Sequence, residues 1–152
     1  MKFKFPLQKV LNHRQIQLDL AQKDYLEALN FYNEEQVILE NLRVEREHAT
    51  LQRGLVVNQT SDWQQKIIQI NEYLVLQDVR IKQQNERLTK IEKVVEARRE
   101  VLKQALSEVK IMERLKENKK QDFIQEVQKT ENKELDEIST IRFVRMTKNA
   151  EE

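Results

Sequence analysis

The side chains of this chain that could do acid–base or metal chemistry are two histidines and many carboxylates. His13 and His48 lie 35 residues apart, among 26 acidic residues and no cysteine. If both histidines lie on one helix, a rise of ~1.5 Å per residue separates them by about 50 Å, so they cannot share a metal ion or relay a proton. Carboxylates on a solvated helix surface have no pocket to shift their pKa. The sequence therefore predicts no catalytic residue and no metal site.

Glycine content excludes further classes of enzyme. The chain has one glycine and one proline, whereas phosphate-binding loops and the nucleophile elbow need several glycines for close backbone approach. We therefore expect no enzyme activity and no cofactor. The 27 basic residues balance the 26 acidic ones, so no net charge attracts the chain to nucleic acid. Neither a signal peptide nor a stretch of ~20 apolar residues is visible, and we expect a cytoplasmic protein.

The elements that must position these residues are helices, because apolar residues recur at alternate spacings of four and three. A first series, mostly apolar, comprises Leu7, Leu11, Arg14, Leu18, Ala21, Tyr25, Ala28, Tyr32, Glu35, Leu39, Leu42, Arg46, Ala49, Arg53 and Val56. A second comprises Ile67, Ile70, Leu74, Gln77, Ile81, Gln84, Leu88, Ile91, Val95, Arg98, Leu102, Ala105, Val109 and Met112. Each series is the seam of a heptad repeat.

A single turn can separate the two series. Gly54 interrupts the first, and Ser61 with Gln64 resembles a capping box that starts a second helix; Pro6 marks the start of the first helix. The predicted fold class is all-α, an antiparallel two-helix coiled-coil hairpin with a longer second helix. It forms one domain over residues 1–152, with a helix at about 6–54, a turn at about 54–61 and a helix at about 62–146.

The register of the hairpin follows from where the turn is centred. A turn centred on Asn58 places Leu42 opposite Leu74 and Phe3 opposite about Glu113, with each alanine facing a larger residue. A slip of one heptad also alternates small and large residues. We prefer the first register, because the slipped one places Leu7 opposite Lys116.

The second helix is predicted to extend beyond the first by about 30 residues, since helix-compatible sequence continues through Met146. Its apolar residues would then have no partner within the chain and would be frayed, exposed or used for binding. These residues are Phe123, Val127, Leu135, Ile138 and Ile141. At the opposite end, Trp63 and Tyr73 would lie at the hairpin tip, either packed in the hairpin or as an aromatic anchor for a partner.

Both chain ends resemble one known family. The run from Met1 to Arg14, with Ala21-Gln22, is similar to the start of the bacterial flagellar export protein FliJ, which often opens with Phe-x-Phe-x-Leu, Val-Leu-x-x-Arg and Ala-Gln. The run from Glu131 to Ile138 resembles the other family signature, usually Gln-Lys-x-Leu-Asp-Glu. Pro6 and Asn132 depart from the family pattern.

The resemblance implies a non-enzymatic stalk protein of flagellar type III secretion. Such proteins bind the export ATPase FliI, its regulator FliH, the export gate FlhA and export chaperones, and are held at the inner membrane, at the flagellar base, through these partners. We expect a monomer that binds no nucleic acid. Because both family-like motifs and the overhang meet at the open end, we assign ATPase binding to it, and gate binding to Trp63 and Tyr73. The residues assigned to the ATPase are Phe3, Phe5, Leu7, Leu11, Arg14, Leu135, Asp136, Glu137, Ile138 and Arg142.

Three alternatives remain at this point. The stalk protein of a virulence type III secretion system belongs to the same class. A structural homodimeric coiled coil would use the same heptads between chains, although the turn and the unequal arms argue against it. A nucleic-acid-binding helix would need the net basic charge that the chain lacks.

Overall fold

The computed structural model describes residues 2–58 and 61–150, and over these ranges the chain consists of two α-helices. Helix α1 spans Gln8–Val56 and helix α2 spans Trp63–Asn149. The two helices pack against each other without any strand in the described ranges, which confirms the predicted all-α coiled-coil hairpin with a longer second helix. Within the same ranges, no helix is long and apolar enough to cross a membrane.

Helix α1 begins later than Pro6 and passes through Gly54. Pro6 and Leu7 form a turn, and the Gln8 N–H donates to the Phe5 carbonyl oxygen at 3.2 Å. Gly54 keeps a helical backbone without positive φ, and nothing approaches within 4 Å of where its Cβ would lie. A glycine in a helix costs only about 1 kcal/mol relative to alanine, so it does not end α1 as the sequence suggested.

Helix α2 begins at Trp63, one residue after the start of the predicted helix. The carbonyl oxygen of Asp62 accepts the Lys66 N–H at 3.3 Å, which gives Asp62 the capping position that the sequence assigned to Ser61. A difference of one residue is usual at helix ends. The connection therefore occupies residues 57–62, of which Gln59 and Thr60 lie outside the described residues.

Two compact units make up the chain, and both helices contribute to each. The loop unit comprises Gln17–Ala105, and the terminal unit comprises Met1–Ile16 with Leu106–Glu152.

In the loop unit, the core consists of residues from the two predicted heptad series. The buried ones are Leu18, Ala21, Ala28, Glu35, Leu39 and Ala49 of α1 and Leu74, Gln77 and Leu88 of α2. Because the positions of each heptad series recur every three or four residues, each helix turns one stripe toward the other and leaves the rest of its surface to solvent.

In the terminal unit, the segment that precedes α1 contributes to the core. Phe5 and Leu11 are buried together with Val109 and Met112 of α2. The Phe3 ring lies 5.7 Å from the Phe123 ring, between centroids, with the planes tilted by 48°, a favourable arrangement for two aromatic rings. Phe123 therefore has a partner within the chain, contrary to the expectation that it had none.

The predicted register is wrong in both units. In the loop unit, Arg46 pairs with Asp78, whereas the predicted register puts Ile70 opposite it. Arg98 donates to the Asp24 carbonyl oxygen, whereas the predicted register puts Leu18 opposite it. In the terminal unit, Phe3 contacts Phe123 rather than about Glu113. The contacts lie closer to the slipped register that the sequence disfavoured on account of Leu7.

The physical reason for this error is the position of Leu7. Leu7 lies in the turn before α1 with 42% of its surface exposed, and Phe5 is the buried residue there. The slipped register therefore does not place the charged Lys116 against a buried leucine, and it carries no cost of burying that charge. The later turn, at residues 57–62, also moves the facing positions further along α2.

Polar layers interrupt the apolar seam of the loop unit. Glu35 has 6% of its surface exposed. Gln84 Nε2 donates to the backbone oxygen of Glu35 at 3.0 Å and to the Glu35 carboxylate at 2.7 Å. The Arg87 guanidinium lies 3.1 Å from the second oxygen of that carboxylate. A buried carboxylate needs such donors, since an unpaired buried charge is strongly destabilising.

The second polar layer is centred on Gln77, which is fully buried. Its Nε2 donates to the Leu42 carbonyl oxygen at 3.1 Å and to the Glu45 carboxylate at 3.0 Å. Its Oε1 has no hydrogen-bond partner among the described residues. This layer is therefore only partly satisfied, unlike the layer at Glu35.

Candidate interaction surfaces

The residues that the sequence assigned to the ATPase near the N-terminus lie mainly in the core of the terminal unit. Phe5 and Leu11 are buried, and Phe3 is half-buried against Phe123. Leu7 is exposed, and Arg14 forms an ion pair with Glu108 at 2.9 Å. The N-terminal motif therefore builds the fold of this unit, and Leu7 and Val10 are its exposed apolar residues.

The residues assigned to the ATPase near the C-terminus are all exposed on α2. From position 128 to position 150, every residue is exposed, and α2 continues to Asn149. Leu135, Ile138 and Ile141 have 61%, 48% and 54% of their surface exposed. Their spacing of three places them along one side of the helix, and we call these three residues the C-terminal stripe.

Three further exposed apolar residues follow the C-terminal stripe and were missed from the sequence. They are Phe143, Val144 and Met146, with 68%, 47% and 74% of their surface exposed. Their exposure could have been predicted from the sequence, because they lie beyond the last residue of α2 that α1 is long enough to contact. Together with the stripe, they make the end of α2 the more apolar part of this exposed segment.

Charges along this end of α2 are segregated. Residues 131–137 carry four acidic side chains and one lysine, residues 138–141 carry no charge, and residues 142–148 carry two arginines and one lysine. Asp136 and Glu137 belong to the acidic block and Arg142 to the basic block, and all three are exposed. Within residues 128–150, the described structure contains no ion pair, so these charges face solvent.

Near the turn, Trp63 and Tyr73 are partly exposed, at 38% and 37%. They lie ten residues apart on α2, a rise of about 15 Å. Only Tyr73 lines an open groove of about 500 Å³ in the loop unit. The other residues that line the groove are Val44, Glu45, His48, Ala49, Gln52, Gln69 and Ile70. The sequence could not find this groove, because its lining depends on the register of the two helices.

The lining of the groove includes a small residue of α1. Ala49 is buried there, while Val44 and Tyr73 keep exposed apolar surface. Such an apolar concavity with a few polar groups at its edge is the form of surface that receives one large side chain of a partner.

No cluster of three or more histidine, aspartate or glutamate side chains able to hold a metal ion occurs among the described residues. A hydrogen bond from Arg46 to the Asp78 carboxylate, and the charge of that carboxylate, raise the pKa of the Arg46 guanidinium. This pair joins α1 to α2 on the surface of the loop unit.

Comparison with known proteins identifies the family. The family model described as flagellar FliJ protein matches residues 3–148. The fold is similar to that of a YscO homologue, CT670, from Chlamydia trachomatis, with a TM-score of 0.56 and 20% sequence identity over 92% of this chain and 94% of that chain. No curated protein matches the chain. Since the family model covers nearly the whole length of two helices with heptad seams, the chain belongs to the flagellar FliJ protein family.

Proposed function

We propose that this protein is a non-enzymatic coiled-coil stalk of a flagellar type III export apparatus. In this proposal the C-terminal end of α2 binds the ring of the export ATPase FliI, and the groove near the turn binds the export gate FlhA. The regulator FliH and export chaperones are further partners. The protein works as a monomer in the cytoplasm and reaches the inner membrane at the flagellar base through these partners.

The observation that carries the proposal is the exposed end of α2. Beyond Val127 the helix has no cover from α1, yet it keeps the apolar residues of the C-terminal stripe. Exposed apolar residues on a helix supply affinity when a partner desolvates them, while the surrounding charges supply orientation. A lone helix end is also narrow enough to enter the centre of a ring.

Deletion of the exposed end tests the ATPase assignment. We expect a chain that ends at Thr130 to keep the contact between Phe3 and Phe123 but to lose stimulation of ATP hydrolysis by FliI. Replacing Leu135 and Ile138 by serine should remove most of the stimulation, because the apolar contact area is lost without a change of charge. The measurement is the rate of ATP turnover at matched concentrations of FliI and of each variant.

The matched control replaces two exposed apolar residues elsewhere on α2. Val94→Ser with Val101→Ser removes similar exposed apolar surface, at 47% and 59% exposure, and should leave stimulation unchanged. Full stimulation by the chain that ends at Thr130 would contradict the assignment.

The gate assignment is tested at the groove. We expect Tyr73→Ala with Trp63→Ala to weaken FlhA binding about tenfold, the effect of losing ~1.4 kcal/mol, while stimulation of FliI stays intact. Of the single variants, Tyr73→Ala should account for most of the loss, since only Tyr73 lines the groove. Titration calorimetry with the cytoplasmic part of FlhA measures this.

The control for the groove is Val75→Ala, at a neighbouring position with 66% exposure, which should bind FlhA normally. If this control weakened FlhA binding as much as Tyr73→Ala does, the groove would not be the binding site.

A second candidate function is the corresponding stalk of a virulence type III secretion system. The observation that favours this candidate is the fold that the chain shares with the YscO homologue. Affinity purification from the native cell distinguishes the two candidates, because the ATPase that co-purifies belongs to either the flagellar or the virulence apparatus.

A further inference from the structure

The end of α2 combines two features that the proposed function does not require together. One is a pair of exposed isoleucines within the C-terminal stripe, Ile138 and Ile141. The other is the charge order, in which an acidic block at 131–137 and a basic block at 142–148 flank an uncharged middle. The favourable effect of cations at a helix C-terminus explains Lys148 in the last turn, but it acts only within that turn. It explains neither the acidic block nor the exposed isoleucines.

The order of charges and apolar residues is self-complementary when two such helices run antiparallel. If Ile138 of one copy faces Ile141 of the other, then Glu134 faces Arg145, and Glu131 faces Lys148. The positions of these six residues alternate by three and four, so they form one heptad seam on the same face of α2. Every facing pair is then apolar with apolar, or acid with base.

We propose that this face of α2 binds a second copy of the same chain, in an antiparallel arrangement with twofold symmetry. A twofold axis repeats each contact, since residue i meets residue j and j meets i. The two central apolar pairs are therefore flanked on both sides by two ion pairs. A parallel arrangement would instead place acid beside acid and base beside base.

This dimer differs from the constitutive homodimer considered above, in which the heptad seams of the hairpin would pair between chains. Here those seams remain paired within each chain, and only the exposed end of α2 associates. The interface is short, so the dimer should be transient, and the chain stays monomeric when dilute. One consequence rests on the proposed function: self-pairing would cover Ile138 and Ile141 of the C-terminal stripe and exclude FliI from them.

Sedimentation equilibrium of the full chain tests the proposal without any partner. We expect the apparent mass to rise from the monomer value of 18.4 kDa toward twice that value, with a dissociation constant of about 10–100 µM. The dissociation constant should increase severalfold between 0.1 M and 1 M salt, where the screening length falls from about 10 Å to about 3 Å. A chain that remains monomeric up to several hundred micromolar would overturn the proposal, whatever partner its exposed end binds.

Charge reversal identifies the face and the direction of pairing. One variant carries Glu131→Lys and Glu134→Lys, and the other carries Arg145→Glu and Lys148→Glu. Each variant alone would set like charges against each other and should stay monomeric at concentrations where the natural chain dimerises. An equal mixture should dimerise, because all four facing pairs are then of opposite charge.

The control reverses an adjacent pair of exposed charges elsewhere, Glu92→Lys with Lys93→Glu, and should dimerise like the natural chain. Dimerisation of either end variant alone, or a monomeric mixture while the natural chain dimerises, would overturn the antiparallel arrangement. Since none of these measurements involves FliI, their failure is distinguishable from failure of the ATPase assignment.

Discussion

Replacement of Leu88 by alanine is expected to lower the free energy of unfolding by ~2–4 kcal/mol. Leu88 belongs to the seam of α2 in the loop unit and has 7% of its surface exposed. Truncation removes the buried methyl groups and leaves a cavity, because the polar layer one turn away, at Gln84 and Glu35, holds the two helices in place. Urea denaturation followed by circular dichroism measures the loss.

The matched control is the same substitution at Leu76, on the same helix with 49% of its surface exposed. Leu76→Ala should cost less than about 1 kcal/mol, because little apolar surface is lost and no cavity forms. Equal costs for the two variants would mean that the seam does not bury Leu88 in solution.

The second large effect is expected at Gln84. Gln84→Met keeps the length of the side chain but removes the amide that donates to the buried Glu35 carboxylate and to its backbone oxygen. Leaving a buried acceptor without its donor costs ~1–3 kcal/mol, with the upper part of this range expected for a charged group. We expect the free energy of unfolding to fall by about 2 kcal/mol.

Gln77 lies one heptad earlier on the same seam, and its substitution should change the free energy of unfolding differently from that of Gln84. Gln77→Met removes a buried Oε1 that lacks a partner, so the cost of that unsatisfied group disappears along with the bonds of Nε2. We expect Gln77→Met to be neutral or to stabilise the protein by up to about 1 kcal/mol. A similar loss of stability in the Gln77 and Gln84 variants would contradict the distinction between the two layers.

The two helices were predictable because a heptad seam is a local property. Each apolar residue, such as Leu18 or Leu88, is separated from the next by a fixed spacing, and the helix turns that spacing into one buried face. The register was not predictable in this way. It depended on whether Leu7 belonged to the helix and on how many residues formed the turn, and both depend on contacts between distant parts of the chain.

The candidate surfaces likewise differ in whether they could be predicted from local sequence or required contacts between distant parts of the chain. The exposure of Leu135 and Ile138 followed from counting residues, since α1 is too short to cover them. The pairing of Phe123 with Phe3, and the groove at Tyr73, required the correct register and a segment that packs without being helical. Polar members of the seam, such as Glu35, counted against the repeat in the sequence, yet they form part of the interface.

The spacing of the two polar layers has a mechanical consequence for the loop unit. Gln77 and Gln84 are one heptad apart, and Glu35 sits at the second of them. Sliding α1 by one heptad in one direction would set the Glu35 carboxylate against Ile91, which has no donor to offer. Sliding it in the other direction would bring Glu35 to Gln77 and to Arg80, which lies one heptad before Arg87, and would leave Gln84 without its partner. A slide of α1 along α2 is therefore opposed in both directions, but less strongly toward Gln77 than toward Ile91. The helix pair should yield more readily when Glu35 is pulled toward Gln77.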